Sequence, residues 1–97
     1  PDSELGDYEE GEEAFLQQFL ITPNPSDGNF TVTLEFAKIT EVRLVLNTLI
    51  QGIKLDERTL RGSRWYKESY QETLPSGQYV LQMITDTVRA TYKLIIR

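Results

Sequence analysis

Between Asn29 and Phe36 apolar and polar side chains alternate without interruption. Phe30, Val32, Leu34 and Phe36 point one way, and Thr31, Thr33 and Glu35 the other, the period of a strand with one wet face. Val42–Asn47 sets Val42, Leu44 and Leu46 inward against Arg43, Val45 and Asn47, and Ile53–Thr59 offers Ile53 and Leu55 inward before turning polar, as an edge strand would. Trp65–Gln71 interleaves aromatics with Lys67, Glu68 and Ser69, a strand whose inward face the pattern leaves open. Gln78–Thr85 is apolar on both faces, with Tyr79, Leu81 and Met83 on one and Val80 and Ile84 on the other, which predicts a central strand. In the last run Val88, Ala90, Tyr92, Leu94 and Ile96 face inward and Arg89, Thr91, Lys93, Ile95 and Arg97 outward. Ahead of these, Phe19–Thr22 reads as a first strand, although Phe15, Leu16, Phe19 and Leu20 also fit one face of a short helix.

Turn residues divide the chain at the same places. Pro23 and Pro25 block a helix before Asp27-Gly28, where Gly tolerates positive φ and Asp can bond its own backbone. Leu74-Pro75-Ser76-Gly77 has the residues of a type I turn leading into the central strand, and Asp86-Thr87 gives a weaker hairpin signal. About seven short strands with regular turns predict an all-β fold, an antiparallel immunoglobulin-like β-sandwich without a disulfide.

At 97 residues the chain suffices for one domain burying roughly 60 to 65% of its unfolded surface, with no cleft between lobes. It has no histidine and no cysteine. A Ser-His-Asp triad, a thiolate nucleophile and a zinc site of the usual nitrogen and sulfur donors are therefore excluded. Carboxylate pairs for glycoside hydrolysis stay open, because their separation is set by the fold. The small size and missing cleft still argue against an enzyme, and no cofactor or metal is implied. Apolar runs such as Leu94-Ile95-Ile96 are far too short to span a bilayer. No basic, apolar leader follows Pro1, so a signal peptide is expected to lie outside this stretch.

The net charge of −5 is unevenly spread. Asp2, Glu4, Asp7, Glu9, Glu10, Glu12 and Glu13 precede any base, and the rest of the chain has eight acids and ten bases. Residues 1–18 are thus expected to be an acidic, flexible linker, with the sandwich over 19–97. Arg58, Arg61 and Arg64, flanked by Lys54 and Lys67, read as a solvated loop or a docking partner for that acidic stretch; the body is too weakly basic for nucleic acid.

Four segments resemble a known family when read in order: Ile21 to Phe30 with Pro23-Asn24-Pro25 and Asp27-Gly28, Val45 to Gln51, Leu74 to Leu81, and Lys93-Leu94-Ile95-Ile96-Arg97. Together they are similar to the type A C-terminal sorting domain of cargo proteins exported by the type IX secretion system of Gram-negative bacteria, over about residues 19 to 97. The resemblance implies a sandwich at the end of a larger cargo, recognised by the translocon and an outer-membrane shuttle protein. It also implies a sortase-like peptidase that cuts upstream and attaches the cargo to the surface. The expected route is through the periplasm to the cell surface or the medium. The chain departs from the family pattern in two places. Ile50 replaces a usual glycine, with Gly52 two places on, which predicts a shifted or wider turn; Glu68 and Tyr70 replace apolar residues, so an inward Glu68 would need a partner or a register change.

Two surfaces are candidates for recognition. One is the terminal segment Lys93, Leu94, Ile95, Ile96 and Arg97, where a strand can offer its edge to another sheet, including a second copy of the chain in an edge-strand dimer. From residues alone, Lys93 and Arg97 also suit edge protection, and Leu94 and Ile96 ordinary core. The other is the Pro23–Gly28 turn presenting Asn24 and Asp27, which could equally just start a hairpin. Pro23, Asn24, Pro25, Gly28, Leu74, Pro75, Gly77 and Tyr79 are the turn and signal motifs of the resemblance. The alternative function is an adhesion or carbohydrate-binding sandwich using Trp65, Tyr66, Tyr70 and Tyr79.

Overall fold

The computed structural model describes residues 15–97; most of the expected acidic linker lies outside the described residues. The strands are β1 (Leu16–Thr22), β2 (Asn29–Phe36), β3 (Val42–Thr48), β4 (Lys54–Leu60), β5 (Trp65–Gln71), β6 (Gly77–Ile84) and β7 (Arg89–Ile96). They form two antiparallel sheets, β1-β2-β5 and β4-β3-β6-β7. In immunoglobulin lettering this is ABE against C′CFG, with the fourth strand carried by the larger sheet.

Burial follows the alternation where it was clearest. Phe30, Val32, Leu34 and Phe36 of β2 face Leu44, Leu46, Leu81, Met83, Leu94 and Ile96 in one core between the sheets, and β6 is interior to its sheet as predicted. Tyr79 closes the entry to β6. Its hydroxyl donates to Pro75 O at 2.6 Å, the tyrosine corner of immunoglobulin-type sandwiches. Leu74–Gly77 is accordingly a bend at Ser76 and not the hydrogen-bonded type I turn its residues suggested. The Asp86-Thr87 hairpin forms, with Thr85 N donating to Val88 O and Val88 N to Thr85 Oγ1.

Two bulges account for the departures. β1 starts at Leu16, inside the stretch expected to be linker, because Gln17 is an extra residue between the pairs Leu16↔Phe36 and Gln18↔Glu35. A bulge places two residues against one and shifts the side-chain phase. Leu16, Phe19 and Ile21 therefore all reach the core, and the three-residue step from Leu16 to Phe19 is what matched a helix face. In β4, the shift between Leu46 and Asn47 leaves Leu55 unpaired. Asp56, Arg58 and Leu60 lie opposite the buried Leu46, Leu44 and Val42, whereas Ile53 and Leu55, expected inward, are exposed.

The β3–β4 turn spans Leu49 to Ile53 between the two strands. Gly52 takes φ +67 and donates to Thr48 O, while Ile53 N bonds Thr48 Oγ1. Register between β2 and β5 runs unbroken through Glu68, so no shift occurs there and Glu68 faces inward with a partner.

Candidate functional site

The four resembling segments come together at one end of the sandwich. Thr22, Asn29, Thr48, Gln71, Gly77 and Ile96 are strand termini at this end, linked by the pairs Asn29↔Gln71, Thr48↔Tyr79 and Gly77↔Ile96. Phe15 lies at the opposite end, where its carbonyl accepts from Ala37 N.

Here the Pro23–Gly28 segment is bound to the outer edge of β7. Asn24 Nδ2 donates to Lys93 O at 2.8 Å and Asn24 Oδ1 accepts from Ile95 N at 3.0 Å. Ser26 N donates to Ile95 O and Ser26 O accepts from Arg97 N, both at 2.8 Å, giving a short parallel bridge to Ile96. All four edge groups belong to alternate residues, those whose backbone points away from β6. One side-chain amide and one residue thus act as a strand over Lys93–Arg97.

The loop is itself tightly held. Ser26 is buried, and its hydroxyl donates to Asn29 O and accepts from Gly28 N. Asp27 Oδ1 accepts from Asn29 N, the local bond that an Asp before Gly favours. Gly28 has φ +113, and a Cβ there would overlap the carbonyl oxygen of Glu72, whose own N–H donates to Gly28 O. The peptide bonds before Pro23 and Pro25 are cis. Asn24 and Asp27 are both exposed, but the Asn24 amide is spent on the β7 backbone and one Asp27 oxygen on Asn29 N, so the loop also serves as a brace for the terminal segment.

Within the terminal segment Leu94 and Ile96 are core, at 0% and 2% exposure, out of reach of a receptor while the domain is folded. Lys93, Ile95 and Arg97 are outward and exposed. Of the motif residues, Gly28 and Tyr79 are architectural, as are Leu74 and Pro75 beside the corner.

The charges divide sharply. Arg43 and Lys54 both bond Glu57, Arg61 reaches Glu41, and Arg64 reaches Glu35. The Glu57 carboxyl is held below its ordinary range by the Lys54 and Arg43 hydrogen bonds. Arg58 does most. From β4 it bonds Asp56 at 3.1 Å, Glu68 of the other sheet at 3.2 Å and Ser69 O at 3.0 Å, with its guanidinium 3.7 Å from the Tyr70 ring centroid. It is therefore neither a loop residue nor a spare cation, as the arginine cluster suggested, but a tie between the sheets. By contrast, Lys38, Lys67, Arg89, Lys93 and Arg97 have no carboxylate partner among the described residues; Lys38 lies over the Phe15 ring, Arg89 and Lys93 are on β7, and Arg97 directly follows it.

The aromatic cluster does not form a sugar platform. Tyr70 is buried and stacked on Phe30 at 4.8 Å, Tyr66 donates to Thr40 O, and Tyr79 closes its corner. Only Trp65, 50% exposed, is available. Among the described residues no group of three or more Asp and Glu side chains could hold a metal ion.

The sequence pointed to β7 but not to its brace, whose bonds join residues 69 and 71 positions apart. The inward Glu68 was the available signal for Arg58, since a half-buried carboxylate needs a cation. In comparison with known proteins, residues 20–97 match the family model of the secretion system C-terminal sorting domain. No curated protein matches the chain.

Proposed function

Because the chain belongs to the secretion system C-terminal sorting domain family, we propose that it directs a larger cargo through the outer membrane by the type IX route, and that the braced terminal strand is what the machinery reads. The family assigns the coarse role, a type IX export signal, implying secretion machinery as partner, a cargo part N-terminal to the domain, and a destination at the cell surface or in the medium. The finer reading rests on one observation: Lys93 and Arg97, with no acid partner among the described residues, are held outward where the backbone edge is already bonded by the loop.

Edge protection was the competing explanation for Lys93 and Arg97. Beside them the loop does that work, since Asn24 and Ser26 occupy the groups an incoming strand would use. Among the described residues neither charge is engaged by an acid. We assign the translocon and its outer-membrane shuttle as the readers, and a sortase-like peptidase as the enzyme that removes the domain. Cleavage falls upstream of Leu16, because a cut between Leu16 and Phe19 would enter a paired strand. The domain itself acts as a ligand, not a catalyst.

The test fuses the 97-residue chain to the C-terminus of a periplasmic fluorescent reporter in a host with the type IX apparatus. The intact chain is expected to carry reporter outside the cell. The double variant Lys93→Glu, Arg97→Glu should leave it in the periplasm with an unchanged thermal melt. Intact chain retained in the periplasm while folded would remove the sorting reading and restore the adhesion module.

A further inference from the structure

A strand can be recognised by its backbone, through addition of another strand, or by its side chains, and the two modes require different partners. We propose that this end of the larger sheet is read through side chains, by a protein surface that combines an apolar patch with carboxylates. The inference rests on the sorting role proposed above and specifies the chemistry of its partner.

The first observation is the brace. From Lys93 onward the outward N–H and C=O groups of β7 are spent on Asn24 and Ser26, so strand addition there would have to break four hydrogen bonds before making its own. The second is charge. Lys93 and Arg97 face outward at this end, about 13 Å apart along an extended strand, with no acid partner among the described residues, whereas five other cations are matched to acids; Arg89, paired with Ile84, lies at the far end. Charges this sparse suit separate carboxylates better than a dense polyanion.

The third observation is an apolar strip reaching the same end. Ile95 is 39% exposed and pairs with Gln78, whose carbonyl accepts from Leu49 N at 3.2 Å. Leu49, also 39% exposed, leads to Ile50 at the tip of the β3–β4 turn, 92% exposed. With strands about 4.8 Å apart, Ile95 and Leu49 lie roughly 10 Å from each other across Gln78, and Ile50 and Gln78 border the shallow depression over Gly77 and Tyr79. Solvent-facing aliphatics joined in this way next to unmatched cations mark an interaction surface. Elsewhere Ile39, 70% exposed, sits at the opposite end and serves as an internal control.

The experiment uses the same full-chain reporter fusion, with secreted fluorescence as readout and thermal melts to verify folding. Leu49→Asn, Ile50→Asn and, separately, Arg97→Glu are each expected to lower export about fivefold or more, as loss of a central contact does, while Ile39→Asn leaves it unchanged. If the intact chain exports and these folded variants export like Ile39→Asn, the proposal is overturned while the sorting role stands; if the intact chain does not export, the sorting role has failed first. Asn24→Ala separates the two modes. Higher export from the unbraced edge would establish strand addition and overturn side-chain reading, and equal or lower export supports it. Co-sedimentation of the purified chain with phosphatidylglycerol vesicles, abolished by Arg97→Glu and by Ile50→Asn, would assign the surface to lipid and likewise overturn it; no co-sedimentation supports a protein partner.

Discussion

Arg58 on β4 and Lys93 on β7 are both cationic strand residues, yet the molecule uses them in opposite ways. Arg58 is 28% exposed, touches two carboxylates and a carbonyl, and lies on the Tyr70 ring. Lys93 has no carboxylate partner among the described residues, and only its backbone is engaged, through Asn24. The difference lies in what each edge of the sandwich needs. At β4 and β5 the sheet edges face each other over inward polar residues, Asp56 and Glu68, which require a cation to be tolerated. At the end of β7 a loop closes the edge from Lys93 onward through hydrogen bonds to the backbone, and the side-chain charge there has no acid partner among the described residues. A cation with no acid partner among the described residues is one that a partner can engage without breaking an ion pair there.

Removing the structural cation should have the largest effect. Arg58→Ala strands two half-buried carboxylates and uncovers Tyr70, and we expect a loss of about 2 kcal/mol, roughly 10 °C in Tm. A thermal melt within 2 °C of the parent would abolish the distinction between the two edges. The brace comes next. Asn24→Ala deletes two hydrogen bonds at an exposed edge, an expected cost of about 1 kcal/mol with roughly fivefold faster amide exchange at Ile95. Unchanged exchange at Ile95 would mean that Asn24 does not hold the strand.

Tyr70 sharpens the comparison from the other side. Its hydroxyl is buried with no hydrogen-bond partner among the described residues, so Arg58 grips the ring and not the oxygen. Tyr70→Phe should keep the stack and relieve the orphaned hydroxyl, a gain of about 1 kcal/mol. Burial raises the Tyr70 pKa well above that of a free tyrosine. Above pH of about 10 the unfolded chain loses this proton while the folded one keeps it, so stability falls with rising pH there and is flat below. Equilibrium unfolding of Tyr70→Phe should lack that alkaline decline; persistence of the full decline would place its origin elsewhere.

The elements legible in the sequence were those whose cause is local. Alternation in β2 and β7 reports which side meets the core, and Asp27-Gly28 reports a backbone that only Gly can adopt beside Glu72. Where one extra residue entered a strand, as at Gln17 and Leu55, the period broke and the reading failed: Leu16 was assigned to linker, and Ile53 and Leu55 to the core. The exposed row on β7 was legible from the same alternation that buried Leu94 and Ile96. Its brace and the Arg58 tie were not, because each depends on groups brought together only when the sheets close. Polar residues at inward positions of β4, Asp56 and Arg58, carry the trace of that tie in the sequence.

The smallest stability effect is the one on which the comparison turns. Lys93→Ala and Arg89→Ala remove charges that bond no acid among the described residues, so each is expected within about 0.5 kcal/mol of the parent. The Ala substitutions leave intact the backbone carbonyl of Lys93 that Asn24 uses. Equilibrium denaturation can detect a cost comparable to that of Arg58→Ala. Such a cost would mean that β7 uses its cations as β4 uses Arg58, for holding the fold, and the argument for a partner would lose its basis. Near-zero cost leaves the row with no structural purpose to explain it. A mixed result is equally informative: Lys93→Ala neutral and Arg89→Ala costly would confine the unassigned charge to the braced half of the strand, beside Ile95 and the tip of β3–β4.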